Sequence, residues 1–330
     1  MGNIRKYFDS HALWLSMIIG ALCYPWLVPL KPILPWLIFF MLFFTFCKVN
    51  PLDLRLHKWH WVVLFVQIAM SLGVYAAVYY TTHIGFLAQG MMLCFIMPTA
   101  TAAPIIAGKL GGSIQNLTTF TLLSNFATSL IVPALFPLVY TASDMTFWPA
   151  FLLILSRIAP LLLVPFFGAW LLRLGYQAKT KKEFVLSPGW AQVPFYLWVA
   201  SIIVLSATVT QTGVASITVH LSSMIYLLIG SFFACLAQFG LGKLIGYKLP
   251  APSKGRDYQD VLINPAAAPK TMEGVSKITA GQAFGQKNTS LGVWMAQMYL
   301  DPLSSLGAAA YIIWQNLFNS VQLFFAARKK

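Results

Sequence analysis

The chain has 330 residues, of which 58% are hydrophobic and only 9% are charged, and its formal net charge is +14. Soluble domains usually carry about 25% charged residues, and a soluble fold of this size could not hide so much apolar surface from water. The composition excludes an ordinary soluble protein and predicts one membrane domain, residues 1–330, surrounded by lipid in the cell membrane.

Hydrophobic stretches recur along nearly the whole chain, and a membrane-spanning helix needs about 20 mostly apolar residues. A Pro-rich turn around Pro29 separates the first two stretches, and a polar linker at 249–275 precedes the ninth. The pattern predicts an all-α polytopic membrane protein with ten transmembrane helices. The ten segments are 12–30, 32–47, 59–81, 86–108, 115–140, 147–173, 190–210, 220–246, 276–299 and 303–327.

The basic residues predict the orientation of these spans, because cytoplasmic loops carry an excess of Lys and Arg. With the N-terminus inside, all of the 22 lysines and arginines fall on the cytoplasmic side except Lys31, Arg157 and Lys287. Both termini of this multi-pass inner or plasma membrane protein are then cytoplasmic. The positive charge needs no nucleic-acid partner.

Two of the predicted spans contain residues that interrupt a helix near the middle of the membrane. The fourth span carries Pro98 and Pro104, and the ninth carries the polar run 281–290. Proline removes a backbone donor and clashes with the preceding turn. Non-helical backbone at membrane depth is tolerated where it is buried in protein or lines a cavity. The alternative is that the prolines only kink a helix for packing.

The two interruptions fall at matching places, in the fourth span of each set of five. Transporters with internal repeats use such broken helices to build a binding site at the midplane. Because each half has an odd number of spans, the pattern predicts two inverted five-helix repeats with broken crossing helices 4 and 9. Polar stripes follow in the fifth and tenth spans, and these either bond helix to helix or contact a substrate. They are Thr118, Thr121, Ser124, Asn125 and Thr128, and Gln315, Asn316, Asn319 and Gln322.

The residues around both interruptions resemble the bile acid:sodium symporter family. The longest stretch is 94–137, which reads CFIMPTATAAPIIAGKLGGSIQNLTTFTLLSNFATSLIVPALFP and resembles the first crossing region of that family. Residues 285–292 and 314–320 resemble its second crossing region and its last span. The resemblance implies transport of organic anions by alternating access, commonly with sodium. The cargo classes that it implies are bile acids, steroids such as sulfated ones, and small carboxylates.

The resemblance also implies a division into two parts that move against each other. A panel contains spans 1, 2, 6 and 7, at 12–47 and 147–210. A core contains spans 3–5 and 8–10, at 59–140 and 220–327. The broken spans are expected to cross within the core.

The chain departs from the sodium-coupled members of that family. Those members carry Ser-Asn in the first crossing region, where Ala103 and Pro104 stand here, and a Glu and a Gln in the second, where Ala283 and Lys287 stand. A sodium site needs several hard oxygen ligands. The coupling ion therefore stays open: a sodium site rebuilt from other oxygens, a proton, or the lysine in place of an ion.

Lys287 and Arg157 are cations placed within predicted spans, which makes them candidates for function. The ammonium group of Lys287 is expected to hold the place of an ion, to carry a proton during transport, or to pair with an anionic substrate. A lysine that reaches the interface is the alternative without a function. Arg157 is expected either to bind a carboxylate or sulfate or to bond backbone carbonyls.

The sequence thus predicts a secondary transporter of organic anions. A membrane enzyme is the first rival class, but no catalytic residue, metal site or bound cofactor is predicted, because no acidic residue falls in a span and the four cysteines lack metal-ligand spacing. A channel, which would show no counterflow, is the second rival. The predicted substrate-binding residues are Arg157, Thr99, Gln286, Asn288, Gln315 and Asn316, and the predicted ion site or its surrogate comprises Lys287, Thr101, Thr121, Gln282 and Thr289.

Overall fold

The computed structural model describes residues 2–140, 145–187, 189–251 and 271–328, so most of the predicted linker lies outside the described residues. In this part of the chain the regular secondary structure is helical. The one β-type pairing there is an isolated antiparallel bridge between Thr99 and Lys287. The chain is therefore all-helical. Five stretches are long and apolar enough to cross a membrane, as expected for a membrane-embedded protein: Tyr24–Phe46, Lys58–Thr82, Ile114–Val139, Phe147–Thr180 and Trp190–Lys248.

The first two predicted segments have different bounds from those expected. Helix α1 (Gly2–Leu22) ends early, and a short helix α2 (Tyr24–Leu27) and a 3-10 helix (Val28–Ile33) lead into α3 (Leu34–Phe46). Prolines occupy the first turns of the last three elements. Proline is tolerated there because it lacks only an N–H group that would have no helical partner. The predicted Pro-rich turn is therefore helical.

The first interruption lies between two short helices. After α4 (Lys58–Thr82), helix α5 (Gly85–Ile96) stops before Pro98, and α6 (Ala103–Leu110) begins with Pro104 in its first turn. The non-helical residues 97–102 are called break 1. Gly111 ends α6 with φ of 87°, a backbone conformation that glycine adopts readily. Helix α7 (Ile114–Val139) then begins at Ser113, whose side chain accepts a bond from the Asn116 N–H.

The seventh and eighth predicted segments join end to end at a kink, with no loop between them. After α8 (Phe147–Thr180), helix α9 spans Val193–Lys248 and leaves helical geometry only at His220, with φ of −121° and ψ of 18°. The seventh segment therefore extends past its expected end at 210, up to the kink at His220. Residues 211–219 are polar enough to suggest a loop, but they contain no proline, and the backbone stays helical until the kink.

The second interruption mirrors the first. Helix α10 (Met272–Gly285) is followed by the non-helical residues 286–288, called break 2, and then by α11 (Thr289–Tyr299) and α12 (Ser305–Arg328). Helix α10 packs so closely on α9 that a side chain at Gly242 would collide with the carbonyl of Ala280, and one at Gly246 with that of Ser276. Small residues allow this close approach of backbones in membrane helices.

The outer surface carries large apolar side chains. Trp26, Phe65 and Trp148 are 75%, 71% and 68% exposed, although the buried core already draws on α3 to α12. Monomeric soluble proteins rarely expose apolar patches on this scale. Such a surface is stable against lipid chains, which agrees with a membrane-embedded protein.

Candidate functional site

The two breaks contact each other directly and run antiparallel. The Ala100 N–H donates to the Gln286 carbonyl at 3.0 Å, and the Asn288 N–H donates to the Pro98 carbonyl at 2.7 Å. Thr99 and Lys287 are the paired residues between these two bonds. The contact satisfies backbone groups that helix interruption leaves free, and this permits non-helical chain at this depth.

The side chains of the paired residues cap each other's helices. Thr99 Oγ1 donates to the carbonyl of Ala283 at 2.7 Å, and Lys287 Nζ donates to the carbonyl of Phe95 at 3.0 Å. Had α5 continued, the Thr99 N–H would have bonded Phe95, and had α10 continued, the Lys287 N–H would have bonded Ala283. Each side chain therefore takes the carbonyl that the other residue's backbone gave up.

The backbone N–H groups of the same two residues bond to the polar stripes. The Thr99 N–H donates to Ser124 Oγ on α7 at 3.1 Å. The Lys287 N–H donates to Gln315 Oε1 on α12 at 2.9 Å, and Gln315 Nε2 donates to the Lys287 carbonyl at 3.3 Å. The α7 and α12 stripes thus hold the breaks in place. Bonding between helices is one of the two roles that the sequence allowed for these stripes.

The C-terminal end of α5 collects donors from three distant parts of the chain. Gln238 Nε2 on α9 donates to the Cys94 carbonyl at 3.0 Å, and Lys287 Nζ serves Phe95. Gln67 Nε2 on α4 reaches the next two carbonyls, those of Ile96 at 3.3 Å and Met97 at 3.1 Å. The last carbonyls of a helix have no partner within it. All four consecutive carbonyls are satisfied here by side chains.

Lys287 is buried, with a relative exposure of 1%, and its ammonium nitrogen lies 4.9 Å from the centre of the Phe284 ring. Among the residues whose burial is described, no Asp or Glu is buried, so none of their carboxylates neutralises the Lys287 ammonium group in the core. The negative end of the α5 dipole and the face of an aromatic ring both favour a cation at this place. This buried position does not fit the alternative in which the lysine side chain reaches the membrane interface.

A cavity of about 80 Å³ lies beside the two breaks. Its polar lining comes from break 1, from break 2 with the start of α11, and from α12. Its apolar lining includes Met41 on α3 and Trp198 on α9. The polar lining residues are Thr101, Gln286, Lys287, Asn288, Thr289, Ser290, Gln315, Asn316 and Asn319.

Most of the predicted site residues meet at this cavity. Of the predicted substrate residues, Gln286, Asn288, Gln315 and Asn316 line it, and of the predicted ion residues, Lys287, Thr101 and Thr289 do. The other four, Arg157, Thr99, Thr121 and Gln282, are not among the lining residues.

Three of those four are buried and bonded to other groups. Thr99 caps Ala283, Thr121 Oγ1 donates to the Leu117 carbonyl of its own helix, and Gln282 Nε2 donates to Gln322 Oε1. Gln282 also accepts a bond from Gln286. These three residues lie outside the cavity lining, and their side chains bond other parts of the protein.

Arg157 lies on an exposed part of α8 and does not belong to the wall of this cavity. It interacts electrostatically with Tyr299, at the end of α11. Substrate binding by Arg157 stays a prediction.

Asn288 offers a donor without a partner. Its Oδ1 accepts a bond from the Leu291 N–H at 3.2 Å and so begins α11, while its Nδ2 is buried and has no hydrogen-bond partner within the described residues. A buried donor without an acceptor is unfavourable by about 1–3 kcal/mol. Asn288 is also one of the residues that line the cavity.

Several residues of the site were missed from the sequence. Gln67 and Gln238 carried a signal, since each is an amide within an otherwise apolar span. Met41 and Trp198 carried none, because nothing distinguishes them from lipid-facing or core residues. The chain matches no protein-family model and no curated protein.

Proposed function

We propose that this protein is a secondary transporter that carries small organic anions across a cell membrane by alternating access, as a divergent member of the bile acid:sodium symporter family. The observation that carries the proposal is the polar cavity at the contact of two interrupted helices, lined by amide and hydroxyl side chains. The proposal includes no enzymatic reaction.

Ten spans are part of the proposal. The 56 residues of α9 would extend about 84 Å at ~1.5 Å per residue, far more than the ~30 Å of a bilayer core. We count α9 as two spans that meet at the His220 kink. The pairs α5–α6 and α10–α11 count as one span each, and the Lys and Arg distribution favours cytoplasmic termini.

Inverted repeats are supported by the reciprocal bonds between the breaks. The bond from Thr99 to Ala283 has its counterpart in the bond from Lys287 to Phe95, and the two backbone bonds correspond in the same way. A two-fold axis through the contact would relate them. The core would then contain both breaks, and the panel would contribute Met41 and Trp198 to the cavity.

A small carboxylate is the cargo class that this cavity suits best. Drug-sized ligands occupy pockets of ~300–1,000 Å³, so about 80 Å³ holds a carboxylate group with a short chain and not a steroid body. The wall supplies amide and hydroxyl groups, and the Lys287 cation adds positive potential nearby. A bile acid or steroid would need the cavity to widen as panel and core separate.

For coupling, we propose that the Lys287 ammonium group makes a bound sodium ion unnecessary. The alternative is a sodium-coupled symporter with a rearranged ion site. Thr101 and Thr289 would be available to it at the cavity, whereas the oxygens of Thr121 and Gln282 already take part in other bonds.

Uptake by the purified protein in liposomes tests the function. We expect saturable uptake and counterflow of a labelled short-chain carboxylate, at equal rates in sodium and in choline at constant ionic strength. Conductance without counterflow would indicate a channel instead. A sodium-specific, saturable rise in melting temperature would support the alternative with a sodium site.

Lys287→Ala is expected to lower uptake at least 100-fold while the protein remains folded and monodisperse. The matched control is Lys109→Ala, which removes an exposed cation from α6 and should transport normally. Normal uptake by Lys287→Ala would remove Lys287 from the mechanism.

A further inference from the structure

Two glutamine amides that bond carbonyls at the end of α5 each keep an oxygen without a partner in the described part of the chain. The amide oxygens Gln67 Oε1 and Gln238 Oε1 are both buried and have no hydrogen-bond partner within the described residues. The nitrogen of each amide donates to a carbonyl next to that of Phe95. Both amide groups therefore contact carbonyls adjacent to the one that binds the Lys287 ammonium group.

Among the described residues, the atoms of Gln67 and Gln238 that lack a partner are both oxygens, which accept hydrogen bonds. The C-terminal end of a helix also carries about half a negative charge. An ammonium group has three N–H donors, and that of Lys287 uses one on the Phe95 carbonyl at 3.0 Å while facing the Phe284 ring. Oxygen acceptors, a helix C-terminus and an aromatic face together are the surroundings in which an ammonium group is stable.

We infer that the end of α5 is a binding site for a primary ammonium group, built from the Phe95 carbonyl, the Phe284 ring and the amides of Gln67 and Gln238. The side chain of Lys287 fills this site from within the chain. A free small ammonium ion will bind there when the side chain is cut back. The inference concerns binding alone and does not depend on transport.

The structure also predicts which ammonium ion fits the site best and how that ion reaches it. Lys287→Ala removes the atoms from Cγ to Nζ, which correspond to propylammonium. Protein interiors are packed as densely as organic crystals, so the space left behind should fit that ion better than a shorter or longer one. Because Lys287 also lines the cavity, the ion can enter from there.

Chemical rescue measured as thermal stability tests the inference. Lys287→Ala is melted in methyl-, ethyl-, propyl- and butylammonium chloride and in choline chloride, at constant ionic strength. A ligand that binds only the folded state raises the melting temperature by mass action. We expect a saturable rise of about 2–5 °C with propylammonium, a smaller rise with the other ions, and none in the wild-type protein.

Two further variants make the result specific. Lys287→Met keeps the side-chain volume without the ammonium group, so no ion should raise its melting temperature. Adding Gln238→Leu to Lys287→Ala removes one acceptor amide and should weaken the propylammonium effect at least fivefold in concentration. Equal melting temperatures of Lys287→Ala in propylammonium and choline, or an equal rise in Lys287→Met, would overturn the inference.

If Lys287→Ala does not fold in choline, the yield of monodisperse protein after extraction in propylammonium replaces the melting temperature. Rescue of the yield then supports the site. No folded protein with any of the ions counts against it.

Discussion

The C-terminal ends of α5 and α10 meet at the same pair of breaks, yet different kinds of side chain cap them. The end of α5 binds a buried cation and two glutamine amides. The end of α10 receives hydroxyl groups, from Thr99 to Ala283 at 2.7 Å and from Tyr311 to Gly285 at 2.8 Å. The backbone bonds between the breaks are nevertheless reciprocal.

The difference shows that the backbone alone does not decide where a charge lies. Both helix ends present carbonyls of the same polarity. The amide oxygens of Gln67 and Gln238 lack partners at the α5 end, whereas Tyr311 at the α10 end is itself a donor. The ammonium group at the α5 end contacts a carbonyl and an aromatic ring, whereas the Ala283 and Gly285 carbonyls at the α10 end already accept bonds from neutral hydroxyl groups.

The sharpest way to break this comparison is to move the cation from one helix end to the other. Thr99→Lys places a second ammonium group in the buried contact, and an uncompensated buried charge costs several kcal/mol. We expect at least a tenfold loss of folded protein, measured as monodisperse yield. Adding Lys287→Thr should not restore it, because the Gly285 carbonyl at the α10 end already accepts a bond from Tyr311.

Recovery of folded protein in the double variant would show that the two ends are interchangeable. The different surroundings of the two helix ends would then not change the free energy of burying the cation. Thr99→Met is the control for size, since it adds volume without charge, and it should lose less protein than Thr99→Lys.

A second, smaller test compares the polar stripes that hold the breaks. Gln315 makes two bonds to the backbone of Lys287, whereas Ser124 makes one to that of Thr99. We expect Gln315→Met to lower the free energy of unfolding by about 2–4 kcal/mol and Ser124→Ala by about 1–2 kcal/mol, because each buried group left without a partner costs about 1–3 kcal/mol. Denaturant or thermal unfolding in detergent measures both. A larger loss for Ser124→Ala than for Gln315→Met would mean that the α7 stripe stabilises the breaks more than the α12 stripe does.

The sequence predicted the interruptions because their causes are local. Pro98 and Pro104 cannot be accommodated in a continuous helix, and the polar run 281–290 is unusual in an apolar span. The same reasoning singled out Lys287 as a cation within the membrane. The expected assembly of Gln286, Asn288 and Gln315 at one site also agrees with the cavity wall.

What the sequence could not predict depends on long-range register or on competing local bonds. The pairing of Thr99 with Lys287 joins residues far apart in the chain, and a shift of one position would change which side chain caps which helix. Thr121 was expected at the ion site, but its hydroxyl bonds back to Leu117 in the same helix, as threonine often does. The continuity of α9 through 211–219 was missed because polar residues without proline fit a helix as well as a loop.

The smallest expected effect concerns the hydroxyl cap of α10. Thr99→Val keeps the side-chain shape and removes the bond to the Ala283 carbonyl, so we expect a loss of about 1 kcal/mol in the free energy of unfolding. Thr99→Ser keeps the hydroxyl and should lose less, which separates the bond from packing. Because the cation at the α5 end is untouched, uptake should fall no more than about threefold in either variant. A loss of uptake as complete as that of Lys287→Ala would mean that both helix ends, and not only the charged one, carry the mechanism.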